Sequence, residues 1–296
     1  GQLLVVDRLR EMVQLRMGLD KKRRLTSEVR ERALACLLRF GERLRDIPAS
    51  QLRVVGTNTL RELKDKGEFI AAAEEALGHS IDIISGIEEA RLVYLGALTS
   101  MPLEDMRSLV VDIGGGSTEV IVGHGSRPLA LESLEMGCVS FSKKYFPDGR
   151  ISRWRFRRAR LAARLELRAI ASRMSHHAWS DAIGTSGTAR AIAGILQELD
   201  PAAQCISRAG MRDFLDHCVR SGHVNELGFL TLSPERASVL PGGLAILIEV
   251  FKQFDIETMS VAEGSLREGM LYDLIGRYAD EDARLASVRA MSARYH

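Results

Sequence analysis

The chain has 296 residues, 46% hydrophobic and 27% charged, the proportions of an ordinary globular protein with room for two domains. Lys+Arg 41 against Asp+Glu 39 leaves a formal net charge of +2, so a chain-wide polyanion-binding field is excluded and any such site must come from local clustering. Cys36, Cys138, Cys205 and Cys218 lack CxxC spacing, which argues against a zinc-thiolate site or a disulfide framework and for a reducing compartment.

Along the chain, an apolar stretch at residues 3–7, LLVVD, reads as a strand and is followed by a basic link, GLDKKRR. LTSEVRERALACLLRFGERL then places Val29, Leu34, Leu37, Leu38 and Leu44 at helical spacing behind a Thr-Ser start. LRVVGTNTLRE is strand, glycine turn and helix start, with Thr59 and Glu62 spaced as a capping box. IDIISGIEEARLVYLGAL repeats the device: an apolar strand, Gly86, then a helix with Glu88 and Glu89 in its first turn. LVVDIGGGSTEVIVG is two apolar strands around three glycines, and PLALESLEMG alternates as a further strand. ISRWRFRRARLAARLELRAIASRM is a long arginine-rich helix, and DAIGTSGTARAIAGIL gives strand, Gly184–Thr188 loop and helix. LAILIEVF fits a buried helix, and SVAEGSLREGMLYDLIG carries a second capping box at Ser265 and Glu268.

Strands and helices alternate throughout, which predicts an α/β fold with mixed sheets flanked by helices. The first series ends near Tyr94, a natural domain break. No apolar run approaches membrane-spanning length and the first residues show no signal-peptide pattern, so a cytoplasmic location is expected.

The glycine hairpin carries the strongest chemical signal. Consecutive glycines bring bare N–H groups close to a ligand, and the hydroxyls of Ser117 and Thr118 add donors, so DIGGGST suits a phosphate. No lysine follows as in the Walker loop, and a strand rather than a helix comes next, unlike the dinucleotide fingerprint. Asp112 at the strand end suits a hard divalent cation, and Glu119 stands seven residues on. A hairpin that merely turns is the alternative. Glu88 and Glu89 also have a plain reading, as acids favoured by the helix dipole.

VVGTNTLRE, IISGIEEARLVYLG, LVVDIGGGSTEVIVG, SLEMGCVSFSKKYFPDG, IGTSGTARAIAG, PGGLAILIEVF and VAEGSLREGMLYDLIG together resemble the exopolyphosphatase / guanosine pentaphosphate phosphohydrolase family. That family belongs to the actin-like ATPase and sugar-kinase superfamily, and SLEMGCVSFSKKYFPDG leans toward its exopolyphosphatase branch. The resemblance implies two ribonuclease-H-like lobes, residues 1–93 and 94–276, with the active site in the cleft between them and residues 277–296 leading toward a further helical domain. It implies Mg²⁺-assisted release of terminal orthophosphate from inorganic polyphosphate, and a homodimer for the full-length protein. By the same resemblance Glu89 is the general base for water, Glu119 a second catalytic carboxylate and metal ligand, and Asp112 a metal ligand. Gly114, Gly115, Gly116, Ser117 and Thr118 are the second phosphate loop, and Arg61 is a phosphate ligand.

One feature departs from the family. A first phosphate loop of the form D-x-G-S-N-S has no counterpart, because Arg8 follows Asp7 where glycine would be needed. The chain is therefore expected to begin after that loop. Hydrolysis of the 5′ phosphate of guanosine pentaphosphate, an ATP-dependent kinase reaction, and non-catalytic binding of polyphosphate or an alarmone nucleotide stay open as alternatives. The Gly184–Thr188 loop is either a distal phosphate or guanosine contact or a tight turn. The arginines from Arg150 to Arg168 are a polyanion surface or a solvated face, and His176-His177 lacks partners at metal-ligand spacing.

Overall fold

The structure, a computed structural model, describes residues 9–101 and 106–276. The expected strand at 3–7 and the tail at 277–296 lie outside the described residues. No helix among those described is long and apolar enough to cross a membrane. The chain divides into two compact units, residues 1–83 and 84–296.

In the first unit α1 (Ser27–Leu44) packs on α3 (Lys66–Leu77), while β1 (Val55–Gly56) and β2 (Asp82–Ile83) form a short parallel pair with α2 (Asn58–Glu62) after β1. The face α1 buries is Val29, Ala33 and Cys36, and Leu38 of the expected apolar stripe is 54% exposed. Small residues take the centre because the helices approach closely: a Cβ on Gly41 would stand 2.6 Å from the Leu77 carbonyl oxygen. The N-cap of α2 is Thr57, so Thr59 lies inside the first turn and the expected capping box with Glu62 does not form. Glu62 pairs with Arg16 at 2.6 Å instead.

The second unit runs α4 (Gly86–Leu98), β3 (Arg107–Ile113), β4 (Thr118–His124), β5 (Arg127–Leu134), α5 (Cys138–Tyr145) and α6 (Arg153–Ser175). It continues through β6 (Asp181–Thr185), α7 (Ser186–Leu199), β7 (Ile206–Ser207), α8 (Arg208–Ser221), α9 (Pro234–Gln253) and β8 (Thr258–Val261), and residues 266–276 are helical. Its sheet has the order β5-β4-β3-β6-β8-β7. The hairpins β3–β4 and β4–β5 are antiparallel, β3, β6 and β8 are mutually parallel neighbours, and β7 is antiparallel to β8. This is the mixed, helix-flanked α/β sheet that the alternation predicts.

Strand alternation sorts the side chains of β3 and β4 onto two faces. Leu109, Val111, Val120 and Val122 join the large core built with α5 to α9. Val110 and Ile121 join a separate core with Ala90, Val93, Tyr94 and Ala97 of α4. That packing places α4 with the second unit. The domain break therefore falls at residues 83/84 and not at 93/94, since a helix follows the sheet face it covers, whichever strand series it closes in sequence. The Tyr94 hydroxyl fixes α4 further by donating to the Gly125 carbonyl at 2.7 Å.

Along its other side α4 meets the segment leading into the last helix, with backbone against backbone. A Cβ on Gly96 would lie 1.8 Å from the Ser265 carbonyl oxygen, one on Gly264 2.0 Å from that of Gly96, and one on Gly269 1.8 Å from that of Leu92. Only glycine permits this approach.

Candidate active site

The same alternation that buries Val111 and Val120 on one face turns Asp112 and Glu119 to the other, toward α4. They stand directly opposite each other in the β3–β4 ladder. Cβ atoms so paired are about 4.5–5.5 Å apart, and like charges there repel. Ser85 starts α4, its hydroxyl accepting from the Glu88 N–H at 3.1 Å, so Glu89 falls in the first turn. Glu89, Asp112 and Glu119 are all buried, at 8%, 5% and 1% exposure.

The other two carboxylates bear on the charge of Glu119. Burial pushes the Glu119 carboxyl well above the usual carboxylate range, and the charges of Glu89 and then Asp112 push it further. The hydroxyls of Ser117 and Ser133 oppose this, Ser133 donating to Glu119 Oε1 at 2.9 Å. Burial raises Asp112 as well, against hydrogen bonds from Ser186 and Ser265 and the charge of Arg190. Glu88 serves the helix surface instead, where Arg91 binds both its oxygens at 2.8 Å and reaches Asp273 at 2.7 Å.

The glycine loop turns tightly, the Gly114 N–H donating to the Ser117 carbonyl at 3.0 Å. Its carbonyls face the start of α5: Cys138 N–H donates to Gly114 at 2.9 Å, and those of Val139 and Ser140 to Gly115 at 3.0 and 3.1 Å. The contact is close enough that a Cβ on Gly137 would stand 2.5 Å from the Gly115 carbonyl carbon and the Gly116 nitrogen. With its carbonyls thus occupied, the loop keeps the N–H groups of Gly115 and Gly116, which no acceptor takes among the described residues. The Thr118 hydroxyl does not add a donor as expected. Thr118 is fully buried and gives its proton to the Met136 carbonyl at 2.6 Å, and Ser117 is 3% exposed.

Arg61 lies in the last turn of α2, in the first unit, half-buried and engaged in a polar interaction. Of the acids near it in sequence, Glu62 pairs with Arg16 and Glu68 with Arg30 at 2.8 Å.

The sequence did not single out Ser133 or Arg236, and it marked Ser265 only as a helix cap and Ser186 only as part of the Gly184–Thr188 loop. Ser265 donates to Asp112 Oδ2 at 2.8 Å, so its predicted capping box is half made, with Glu268 accepting the Ser265 N–H at 3.0 Å. Ser133 holds Glu119, and Ser186 donates to the Ile113 carbonyl beside Asp112. The Arg236 guanidinium lies over Gly187 at the start of α7, 2.6 Å from where a Cβ would be, and forms no ion pair among the described residues. The only sequence signal for it was its place eight residues before LAILIEVF. His176 and His177 pack edge-on against each other.

This architecture is one already seen in exopolyphosphatases. The chain superposes on an exopolyphosphatase from Cytophaga hutchinsonii ATCC 33406 with a TM-score of 0.76, 23% identity, and coverage of 88% of this chain and 87% of that one. An exopolyphosphatase-like protein gives a TM-score of 0.77 at 24% identity over 93% and 92% of the two chains. The Aquifex aeolicus PPX-GPPA enzyme gives 0.71 at 21% identity over 88% of each. At such identities the likeness shows the fold. A profile of the Ppx/GppA phosphatase family matches residues 1–278, and the chain belongs to that family.

Proposed function

We propose that the protein hydrolyses the terminal phosphoanhydride of inorganic polyphosphate, releasing orthophosphate. The observation that carries this reading is three buried carboxylates gathered beside a loop whose free donors are the Gly115 and Gly116 N–H groups. Phosphoryl transfer needs charge neutralised, oxygens held and a nucleophile oriented. The loop amides hold phosphate oxygens. Glu89, at the start of α4, accepts the proton of the attacking water as general base. Asp112 and Glu119 repel each other across the ladder for want of a positive charge between them, which is the environment a Mg²⁺ ion satisfies with one or two carboxylates, waters and substrate phosphate. No three His, Cys, Asp or Glu side chains among the described residues are placed to hold a metal by themselves, and Mg²⁺ sites of this kind do not need them. The ion, when bound, neutralises charge developing on the transferred group. Arg61 is assigned to the substrate phosphates on the family motif GTNTLRE.

Orthophosphate release from long-chain polyphosphate in Mg²⁺ tests the reading. The wild type is expected to turn over and Glu89→Gln to lose about 10²–10⁴-fold in kcat. No release by a folded wild-type chain overturns it.

One observation keeps the guanosine pentaphosphate reading beside the first. Arg236 sits at a helix N-terminus, where a cation is disfavoured by the dipole unless an anion joins it, and the Gly184–Thr188 loop opens there. A more distal phosphate or a nucleotide phosphate meets that description. Relative kcat/KM for the polymer and for guanosine pentaphosphate decides between them.

A further inference from the structure

Ser265 stands where a helix begins, and a serine there ordinarily accepts a hydrogen bond from the N–H two or three residues on. Its hydroxyl instead donates to Asp112 Oδ2 at 2.8 Å, across 153 residues of sequence. The helix start is served by Glu268, whose Oε2 accepts the Ser265 N–H. The segment around Ser265 is fixed from several sides. Ala262 N–H donates to the Gly184 carbonyl at 2.9 Å, the Thr185 hydroxyl to the Gly264 carbonyl at 2.7 Å, and Gly264 N–H to Ser100 Oγ at 3.1 Å. Its backbone also abuts α4 at Gly96, two turns beyond Glu89. Beside Asp112 the Ser186 hydroxyl donates to the Ile113 carbonyl at 3.3 Å, and its φ of 64° is a left-handed conformation that serine seldom adopts. Such strain persists only where the surroundings enforce it.

We infer that Ser265 is a positioning residue: its hydroxyl fixes the Asp112 carboxylate for a divalent cation and ties it to the segment that also braces the helix bearing Glu89. A neutral donor orients this carboxylate, and outer-shell partners of that kind set metal affinity, their loss costing about 10–100-fold. The inference rests on the proposed function for the role of Asp112, but it concerns cation affinity and is read without turnover.

The test measures Mn²⁺ binding by electron paramagnetic resonance on the whole chain, alongside phosphate release at varied Mg²⁺. Ser265→Ala is expected to bind Mn²⁺ about tenfold more weakly and to raise the half-saturating Mg²⁺ by a similar factor, with KM for polyphosphate at saturating Mg²⁺ unchanged. Ser265→Thr keeps the hydroxyl and is expected to restore affinity. Ser265→Ala should lower the metal-free thermal midpoint by a few degrees, since a buried carboxylate loses a donor, while circular dichroism stays native. Should the alanine variant misfold, Ser265→Cys, similar in size but a weak donor, decides in its place. Wild-type affinity in the alanine or cysteine variant overturns the inference, as does a wild type that binds no Mn²⁺ or binds it undiminished in Asp112→Asn. A wild type that binds Mn²⁺ through Asp112 yet releases no phosphate overturns the proposed function alone, and the Ser265 comparison still stands.

Discussion

Glu119 is placed against its own charge. It is almost wholly buried, opposite Asp112 and near Glu89, and these surroundings hold its carboxyl well above the usual range. Removing the charge should therefore stabilise the fold while abolishing activity. Glu119→Gln in a chelating buffer is expected to gain roughly 1 kcal/mol at pH 7, the scale of a like-charged cross-strand pair, and thermal unfolding checks it. A loss of stability would mean that the Ser133 hydrogen bond outweighs the repulsion. Glu89, Asp112 and the glycine loop were legible at this scale, because a motif and a strand period of two are local in sequence. Ser265 was not. A hydroxyl three residues before a glutamate reads as a capping box in any sequence, and nothing local distinguishes a serine that turns instead to a carboxylate 153 residues away.

Among the elements, the join between α5 and the glycine loop and the join between α6 and α9 carry the clearest consequences. Gly137→Ala would drive a methyl group into the Gly115–Gly116 peptide, which cannot give way without moving the free amides. An ångström of displacement at a reacting centre costs on the order of 100-fold, so kcat/KM should fall by about that factor while circular dichroism stays native. Between α6 and α9, Arg160 and Arg164 meet Glu249, which is 1% exposed, at 2.7 and 2.8 Å. Burial works to raise the Glu249 carboxyl, but the hydrogen bonds and charges of Arg164 and Arg160 outweigh it and hold the carboxyl below its ordinary 4.5. Its contribution to stability is therefore present above that value and lost as pH falls through the lower folded one. Glu249→Gln should cost about 2 kcal/mol at pH 7, less than the ~3–5 of a fully enclosed pair because both arginines reach solvent, and should blunt the loss of stability on acidification. Urea midpoints at pH 7 and pH 3.5 check both statements. The arginine-rich helix was legible as a helix. That two of its arginines serve an interior glutamate was not, since Glu249 lies inside LAILIEVF, the most apolar stretch of the chain.

The whole molecule is unevenly built. Both cores of the second unit draw only on residues from Ala90 onward, whereas the core of the first unit gathers Leu19, Ala33, Leu60, Leu63, Phe69 and Ala73. Residues 84–276 expressed alone should therefore unfold in one cooperative transition, while residues 1–83 alone should not, as a small core seldom supplies enough burial. Calorimetry of the two fragments tests this. The order of most strands and helices was readable from alternation, although α3, α5, β7 and α8 were not anticipated, and the boundary was misplaced by a helix because the sequence shows which strand precedes α4 and not which sheet face it covers.

The contact of α4 with the last helix has a consequence for how this protein can change over time. Gly96, Gly264 and Gly269 meet main chain on the opposite side, so no second substitution can make room for a methyl group at any of them. Where a side chain meets a side chain, one change can be compensated by another, and a lineage can drift through the pair. Here no compensating partner exists. A saturation library should tolerate one amino acid at each of these three positions, in every genetic background, while the larger apolar residues packed around them exchange freely.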